Sequence, residues 1–388
     1  MCSHRPELRL GGRQRTMLMV QRMNSPRHFR GTLRNYFVCL LLAGGVVGNL
    51  FAGDEIHVER IFGPEIKTGE YKHPASFDEL QNGDLYLVFF SGHGEYNDNS
   101  AAVFGSRLKK GDRRWSSPVA IARDPFHSLG NPVVWQAPDG LGWLFYVSRY
   151  GTHWSDSRIA AKVSRDGAKT WSDSFTVAFD EGMMVRAHPI VLRNGGCLLP
   201  IYHEVGRDTE SVDANCTSLF LRLDPATKLW QPSNRVRSRL GNIQPAAVEV
   251  TPDHLIAFCR RGGDYNGRPD GWLVRAESHD GGRTWSEGKD SEFPNPNAAV
   301  DFIKLRNDHL LLVYNDSFTN RAPLTVAIST DNARTFPYRR SVAEGPGDFG
   351  YPTAVQTRDG KIHVVFTSDE RTVVRQAIFD ESAVLKQK

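Results

Sequence analysis

Cysteine is scarce in this 388-residue chain, and only Cys197, Cys216 and Cys259 lie beyond position 52. An odd number with no Cys-x-x-Cys pair argues against a disulfide framework, and Cys197 and Cys259 sit in apolar runs where buried thiols are expected. A His-Glu-x-x-His motif is missing and the 13 histidines are scattered, so neither a metal cluster nor another cofactor is expected, with a calcium ion held by loop carboxylates left open. No long stretch repeats its apolar residues with a helical period. An excess of one charge is lacking as well. The formal charge of +4 falls to about −3 once the first 52 residues, with eight Arg and one Glu, are set aside. The basic balance therefore belongs to the leader and gives no case for a nucleic-acid partner.

What is present begins with that leader. Residues 36–52, YFVCLLLAGGVVGNLFA, follow Arg27, Arg30 and Arg34 and end in small residues before Gly53. This pattern reads as a secretory signal peptide over 1–52, cleaved near Ala52, with a mature chain of 53–388 that is secreted or periplasmic. The alternative is a membrane anchor, but the run is short and glycine-rich for a spanning helix, so no stable membrane insertion is expected.

The mature chain repeats one phrase: a polar residue, proline, an apolar run, a Gly- or Asp-containing turn, and a second apolar run. The prolines are Pro74, Pro132, Pro189, Pro245, Pro296 and Pro352, separated by 58, 57, 56, 51 and 56 residues. A second marker has the same period. The aromatics Trp115, Trp171, Trp230, Trp285 and Phe336 are spaced 56, 59, 55 and 51 residues apart. Short β-rich runs broken by turns such as QNGD, APDG and TRDG are strand and hairpin signals. A unit of this length holds a four-stranded blade, and six of them predict an all-β, six-bladed β-propeller in a single domain. A β-sandwich is the alternative, but it has no reason to repeat at this length.

Three copies of the aromatic marker carry a longer motif. SHDGGRTW (278–285) fits the pattern Ser-x-Asp-x-Gly-x-Thr-Trp at every fixed position. SRDGAKTW (164–171) and STDNARTF (329–336) fit it with Ala168 and Ala333 in place of the second Gly. The chain thereby resembles the sialidase superfamily, and within it the secreted bacterial sialidase-like proteins with BNR repeats, over most of residues 70–380. The resemblance implies a turn between the outer strands of a blade, with Asp166, Asp280 and Asp331 in structural roles.

A propeller brings the first strand of every blade to its axis, so the six pre-proline residues are expected to surround one funnel. They are His73, Asn131, His188, Gln244, Asn295 and Tyr351, all polar, and each is expected to be held extended by the proline that follows. A second ring is expected from the far ends of the hairpins: Glu95, Asp98, Arg149, His203, Glu204, Arg260, Arg261, Asn315, Arg321 and Arg371. Arginines with carboxylates and a tyrosine suit an acidic glycan. The family resemblance adds roles: Arg260 and Arg321 as carboxylate-binding arginines, Tyr351 as nucleophile and Asp98 as acid/base. Two positions depart from the family, since His73 stands in the place of its first arginine and Gln244 in that of the glutamate that activates tyrosine. Glu204 is the carboxylate expected to replace that base. His73 is expected to join the clamp only when protonated, so that the clamp weakens as pH rises.

Three functions follow from these residues. One is an exo-acting, sialidase-like glycoside hydrolase on a terminal acidic sugar, with Tyr351, Asp98, Glu204 and His73 at the chemistry. Arg260, Arg321, Gln244, Asn131, His188, Asn295 and Arg371 would then bind substrate. The second is a lyase or hydrolase on uronate polysaccharide, in which His73 or Tyr351 moves the proton. The third is a non-catalytic glycan-binding propeller.

Overall fold

The computed structural model describes residues 55–95, 100–207, 211–224, 226, 227 and 229–386. The expected signal peptide and Asp98 lie outside them.

Among the described residues, six antiparallel sheets of four or five strands form the blades, and Ser211–Val212 pairs with Gly263–Asp264 in a separate two-stranded ladder. The first blade shows the rule: Tyr71–Glu79, Leu85–Gly92, Ala102–Leu108 and Val119–Ala122 pair in chain order. The second strand is buried along its whole length, because blades cover both of its faces, and this is why LYLVFF is apolar without alternation. The outermost strand is half exposed. Blades two, four and five repeat the pattern with inner strands Ser128–Gln136, Asn242–Thr251 and Asp301–Lys304. In blade three the inner position is split into Met183–Val185 and Ile190–Val191. The sixth blade starts with Gly350–Gln356 and is completed from the other end of the chain, where His57–Phe62 pairs with Val373–Phe379. The ring is thus closed by a hydrogen-bonded ladder between distant segments, which period counting alone does not show.

The three Asp-boxes are turns after the third strand of their blades. Asp280 accepts from the Thr284 amide (2.9 Å), the Thr284 hydroxyl (2.6 Å) and the Ser278 hydroxyl (2.9 Å). Asp166 and Asp331 accept the same set. Trp285 then stacks on Phe220 of the preceding blade, with centroids 4.0 Å apart and planes at 17°. The box therefore satisfies its own polar groups and delivers an aromatic to the seam between two sheets.

The expectation that pre-proline residues are extended is overturned at three of the six positions. Asn131, Gln244 and Tyr351 have φ of 43°, 55° and 56°. In blades one, two, four and six the ladder skips two positions on the inner strand and one on its neighbour: His73-Pro74, Asn131-Pro132, Gln244-Pro245 and Tyr351-Pro352 each oppose a single residue. These are β-bulges. The proline, which cannot donate to a ladder, is tolerated there, and the bulge re-aims the side chain before it. Left-handed backbone at a residue with a β-carbon costs about 1–2 kcal/mol, which the surrounding sheets must offset.

Candidate functional site

At the end of the axis where inner strands begin, a cavity of about 30 Å³ is lined by residues that include His73, Asn131, Glu204, Gln244, Arg260 and Tyr351. Sequence-predicted residues thus converge there from blades one, two, three, four and six. Glu95, Trp154, Met184, Tyr202 and Tyr265 also line it.

Arg260 organises this site. It donates from Nε to Asn297 Oδ1 (2.6 Å), from Nη1 to Tyr351 Oη (3.0 Å) and Gln244 Oε1 (3.3 Å), and from Nη2 to Tyr265 Oη (3.1 Å). The guanidinium of Arg321 lies 5.3 Å from the Tyr351 ring centroid and 5.5 Å from that of Tyr265. Arg186 lies beneath the same tyrosine, donating to the carbonyls of Tyr351 (2.6 Å) and Pro352 (2.9 Å) and to Thr353 Oγ1 (3.1 Å). Burial alone raises the Tyr351 pKa, but Arg260, Arg321 and Arg371 outweigh it and hold the phenol below its ordinary value. Gln244, expected in the place of the family's glutamate, is a neutral amide that accepts from the same Arg260 nitrogen as the tyrosine. The cations favour the phenolate.

Glu204 lies on the same wall, and burial pushes its pKa up to about 7 against the pull of Arg260. A carboxyl poised there accepts and releases protons near neutrality. Arg371 is turned to the rim, where it pairs with Glu95 and donates to Tyr71 Oη (2.9 Å). Glu95 also accepts from Tyr71 Oη (2.7 Å) and Trp154 Nε1 (3.2 Å).

The expectation of a protonated His73 in the clamp is corrected. Burial first, then Arg371, Arg321, Arg186 and Arg260, push its pKa well below the usual imidazole range. The ring is neutral, so no pH-dependent positive charge comes from it. Its tautomer follows from the hydrogen bonds. Thr367 Oγ1 donates to Gly350 O (3.2 Å), so it receives Nδ1–H of His73 at 2.8 Å. Nε2 is left with the lone pair and has no partner among the described residues. The ring stands edge-on to Tyr351, with centroids 4.0 Å apart.

Two expected site residues lie elsewhere. His188 lines a cavity of about 660 Å³ at the opposite mouth, because the interrupted inner strand of blade three turns Arg186 toward Tyr351 instead. Burial and Arg186 bring the His188 pKa down to about 4. In that larger cavity Asp78 and Asp301 are spent on backbone amides of the next blade, Gln136 N (2.7 Å) and Ala354 N (2.7 Å), as blade-to-blade fasteners. Asn295 closes a loop through Ala298, donating to its carbonyl (2.9 Å) and accepting from its amide (3.1 Å). Asn297, with φ of 58°, takes its place on Arg260. The short step of 51 residues was the available signal: counting from Asn297 makes the flanking steps 53 and 54. Of the second ring, Arg261 holds the Gly262–Asn266 loop through its carbonyls, and Asn315 bonds to the Phe349 carbonyl. No periodic signal marked Arg186, Tyr202 or Tyr265.

Residues 83–364 match the model of the BNR repeat-like domain. The chain belongs to the BNR repeat-like family. Solved structures place this sialidase-like BNR protein among propellers of the same fold. The Hadza microbial sialidase Hz136 superposes with a TM-score of 0.71 at 15% identity, over 84% of this chain and 69% of that one. The NanB sialidase from Streptococcus pneumoniae gives 0.69 at 11% identity, over 84% and 71%. A protein of unknown function from Dyadobacter fermentans gives 0.68 at 17% identity, over 84% and 99%. At such identities the likeness establishes the fold alone. No curated protein sequence matches the chain.

Proposed function

We propose that this BNR repeat-like protein is an exported glycoside hydrolase that removes a terminal acidic sugar by way of a covalent glycosyl–Tyr351 intermediate. The observation that carries the reading is the arginine cage around Tyr351: Arg260 donates to its hydroxyl, and Arg321 and Arg371 help to hold its pKa low. In the first step Tyr351 Oη bonds to the anomeric carbon as the leaving oxygen departs and takes a proton from an acid. Asp98 holds that role by family resemblance. Glu204, poised near pH 7, takes the tyrosine proton. Water then displaces the tyrosine. The sugar carboxylate would bind Arg321 and replace the Tyr265 hydroxyl on Arg260 Nη2.

The test is intact-mass analysis after incubation with a fluorinated sialic acid that arrests the glycosyl-enzyme, beside a sialoside hydrolysis assay. A stoichiometric adduct that disappears in Tyr351→Phe is expected. Absence of both adduct and hydrolysis overturns the reading.

The bare Nε2 of His73 beside Tyr351 favours one second reading, a lyase on uronate polysaccharide. Neutral His73 would remove the proton next to a carboxylate neutralised by arginine, and Tyr351 would protonate the leaving oxygen. That activity is read as an ultraviolet-absorbing unsaturated uronate, which the hydrolase cannot produce.

A further inference from the structure

The histidines that look scattered in sequence are not all apart in space. Leu255 pairs with Ser278 in the antiparallel ladder of blade four, so the residues before and after them, His254 and His279, fall opposite each other. Glu277 lies two residues before His279, which directly follows the strand Trp272–Ser278, and the side chains of both reach the same side of the hairpin end. The result is a triangle. His254 Nε2 is 3.0 Å and His279 Nε2 is 3.8 Å from the same oxygen, Glu277 Oε2, and the three ligand atoms lie within 4.8 Å of one another.

The carboxylate is held in this orientation from behind. Its other oxygen, Oε1, accepts from Arg275 Nε (3.1 Å) and Nη2 (2.9 Å), while Arg275 Nη1 is anchored on the Ala333 carbonyl of the next blade (2.8 Å). An outer partner that fixes one oxygen and presents the other is the usual arrangement behind a ligating carboxylate. The imidazoles are stacked, with centroids 4.3 Å apart and planes at 18°, and both direct Nε2 toward Glu277 Oε2.

We propose that His254, Glu277 and His279 bind a divalent transition-metal ion of the zinc, nickel or copper type. Bonds of about 2.0–2.2 Å in tetrahedral geometry separate ligand atoms by roughly 3.3–3.5 Å. The separations of 3.0 and 3.8 Å bracket that range, so small side-chain rotations suffice. Arg275 neutralises Glu277, which leaves two imidazoles to supply the affinity. That donor set selects these ions over calcium and magnesium, which prefer oxygen ligands. The site lies at the hairpin end away from the funnel and beside Ser278 and Asp280 of the second Asp-box, remote from Tyr351 in the fold. An ion there clamps the turn before His254 to the end of the third strand and stabilises the folded state only.

The experiment uses tag-free protein, titrated calorimetrically with NiCl₂, ZnCl₂ and CaCl₂, together with melting curves in EDTA and in each metal. One saturable site for nickel and zinc, a higher Tm with either, and no calcium response are expected. His254→Ala and His279→Ala each lose that site with Tm in EDTA unchanged, whereas His309→Ala, a histidine beside Glu381 elsewhere, keeps it. If folding of His254→Ala is impaired, His279→Ala decides, because that side chain is 71% exposed. No saturable nickel or zinc binding by the unaltered protein, undiminished binding by His279→Ala, or a calcium site in place of the transition-metal site overturns the proposal.

Discussion

The Asp-box turns and the axial bulges repeat with one period, yet they solve opposite problems. Each box satisfies its aspartate locally: Asp280 takes hydrogen bonds from residues within four positions, and Asp166 and Asp331 repeat the set. Each bulge depends on other blades. Tyr351 is held by Arg260 from blade four and Arg186 from blade three, and no two bulges carry the same side chain except by type. Strain accompanies both, since Ala168 and Ala333 have φ of 59° and 61° in their boxes. At the axis, however, strain is joined to a lowered tyrosine pKa and an imidazole nitrogen with no partner among the described residues. Repetition with local satisfaction marks scaffold. Repetition with side-chain divergence and remote support marks the site.

The comparison breaks first under substitution of the reacting group. Tyr351→Phe should lower hydrolysis on the order of 10³-fold or more, with Tm almost unchanged, because a nucleophile disappears while packing stays. A Tm loss comparable to that of a box variant would place Tyr351 in the scaffold. Trp285→Ala should do the reverse. It removes a buried ring stacked between blades, costing about 3–5 kcal/mol in denaturant unfolding, with kcat retained in the folded fraction.

A pH series sharpens the contrast. Glu204 and Asp301 have folded pKa values raised to about 7 and 6, so the stability they contribute is full below pH 4 and lost as pH rises through 6–7. Asp280 is lowered: burial pulls upward, but bonds from Thr284 and Ser278 outweigh it, so its contribution is present at neutral pH and lost as pH falls through the acidic range. Glu204→Gln should flatten the fall in Tm above pH 6, and Asp280→Asn the fall below pH 4. Glu204→Gln should also remove the limb of the rate profile that rises with pH near 7. A rate profile unchanged by that substitution would falsify Glu204 as the base.

The smallest effect expected is at Tyr265, whose hydroxyl occupies Arg260 Nη2. Tyr265→Phe frees a donor for the sugar carboxylate and should lower KM about 2- to 10-fold with kcat unchanged. A raised KM would make Tyr265 a substrate contact instead of an occupant of the substrate's place. The cavity of about 30 Å³ accords with an occupant, being far below the few hundred Å³ that ligand sites usually offer.

Much of the scaffold is legible in the sequence because its causes are local. A turn that satisfies its own hydrogen bonds needs Ser, Asp, Thr and an aromatic at fixed offsets, so three boxes and six prolines at one period suffice to count blades and to nominate Tyr351, Gln244, Asn131 and His73 as axial residues. Arg260 and Glu204 follow as ends of the paired strands. Position at the axis, in contrast, was decided by the tertiary structure wherever a blade departed from its period. The split inner strand of blade three exchanged His188 for Arg186, and the loop of blade five exchanged Asn295 for Asn297. Charge state was decided there too. Whether His73 is cationic depends on burial and on four arginines from other blades, and three of these, Arg260, Arg321 and Arg371, also lower the Tyr351 pKa. Closure by His57–Phe62 and the meeting of His254 with His279 have the same origin. Hydrogen bonds within a turn are fixed by neighbours along the chain, whereas electrostatic environment and strand register are fixed by residues that only folding brings within reach.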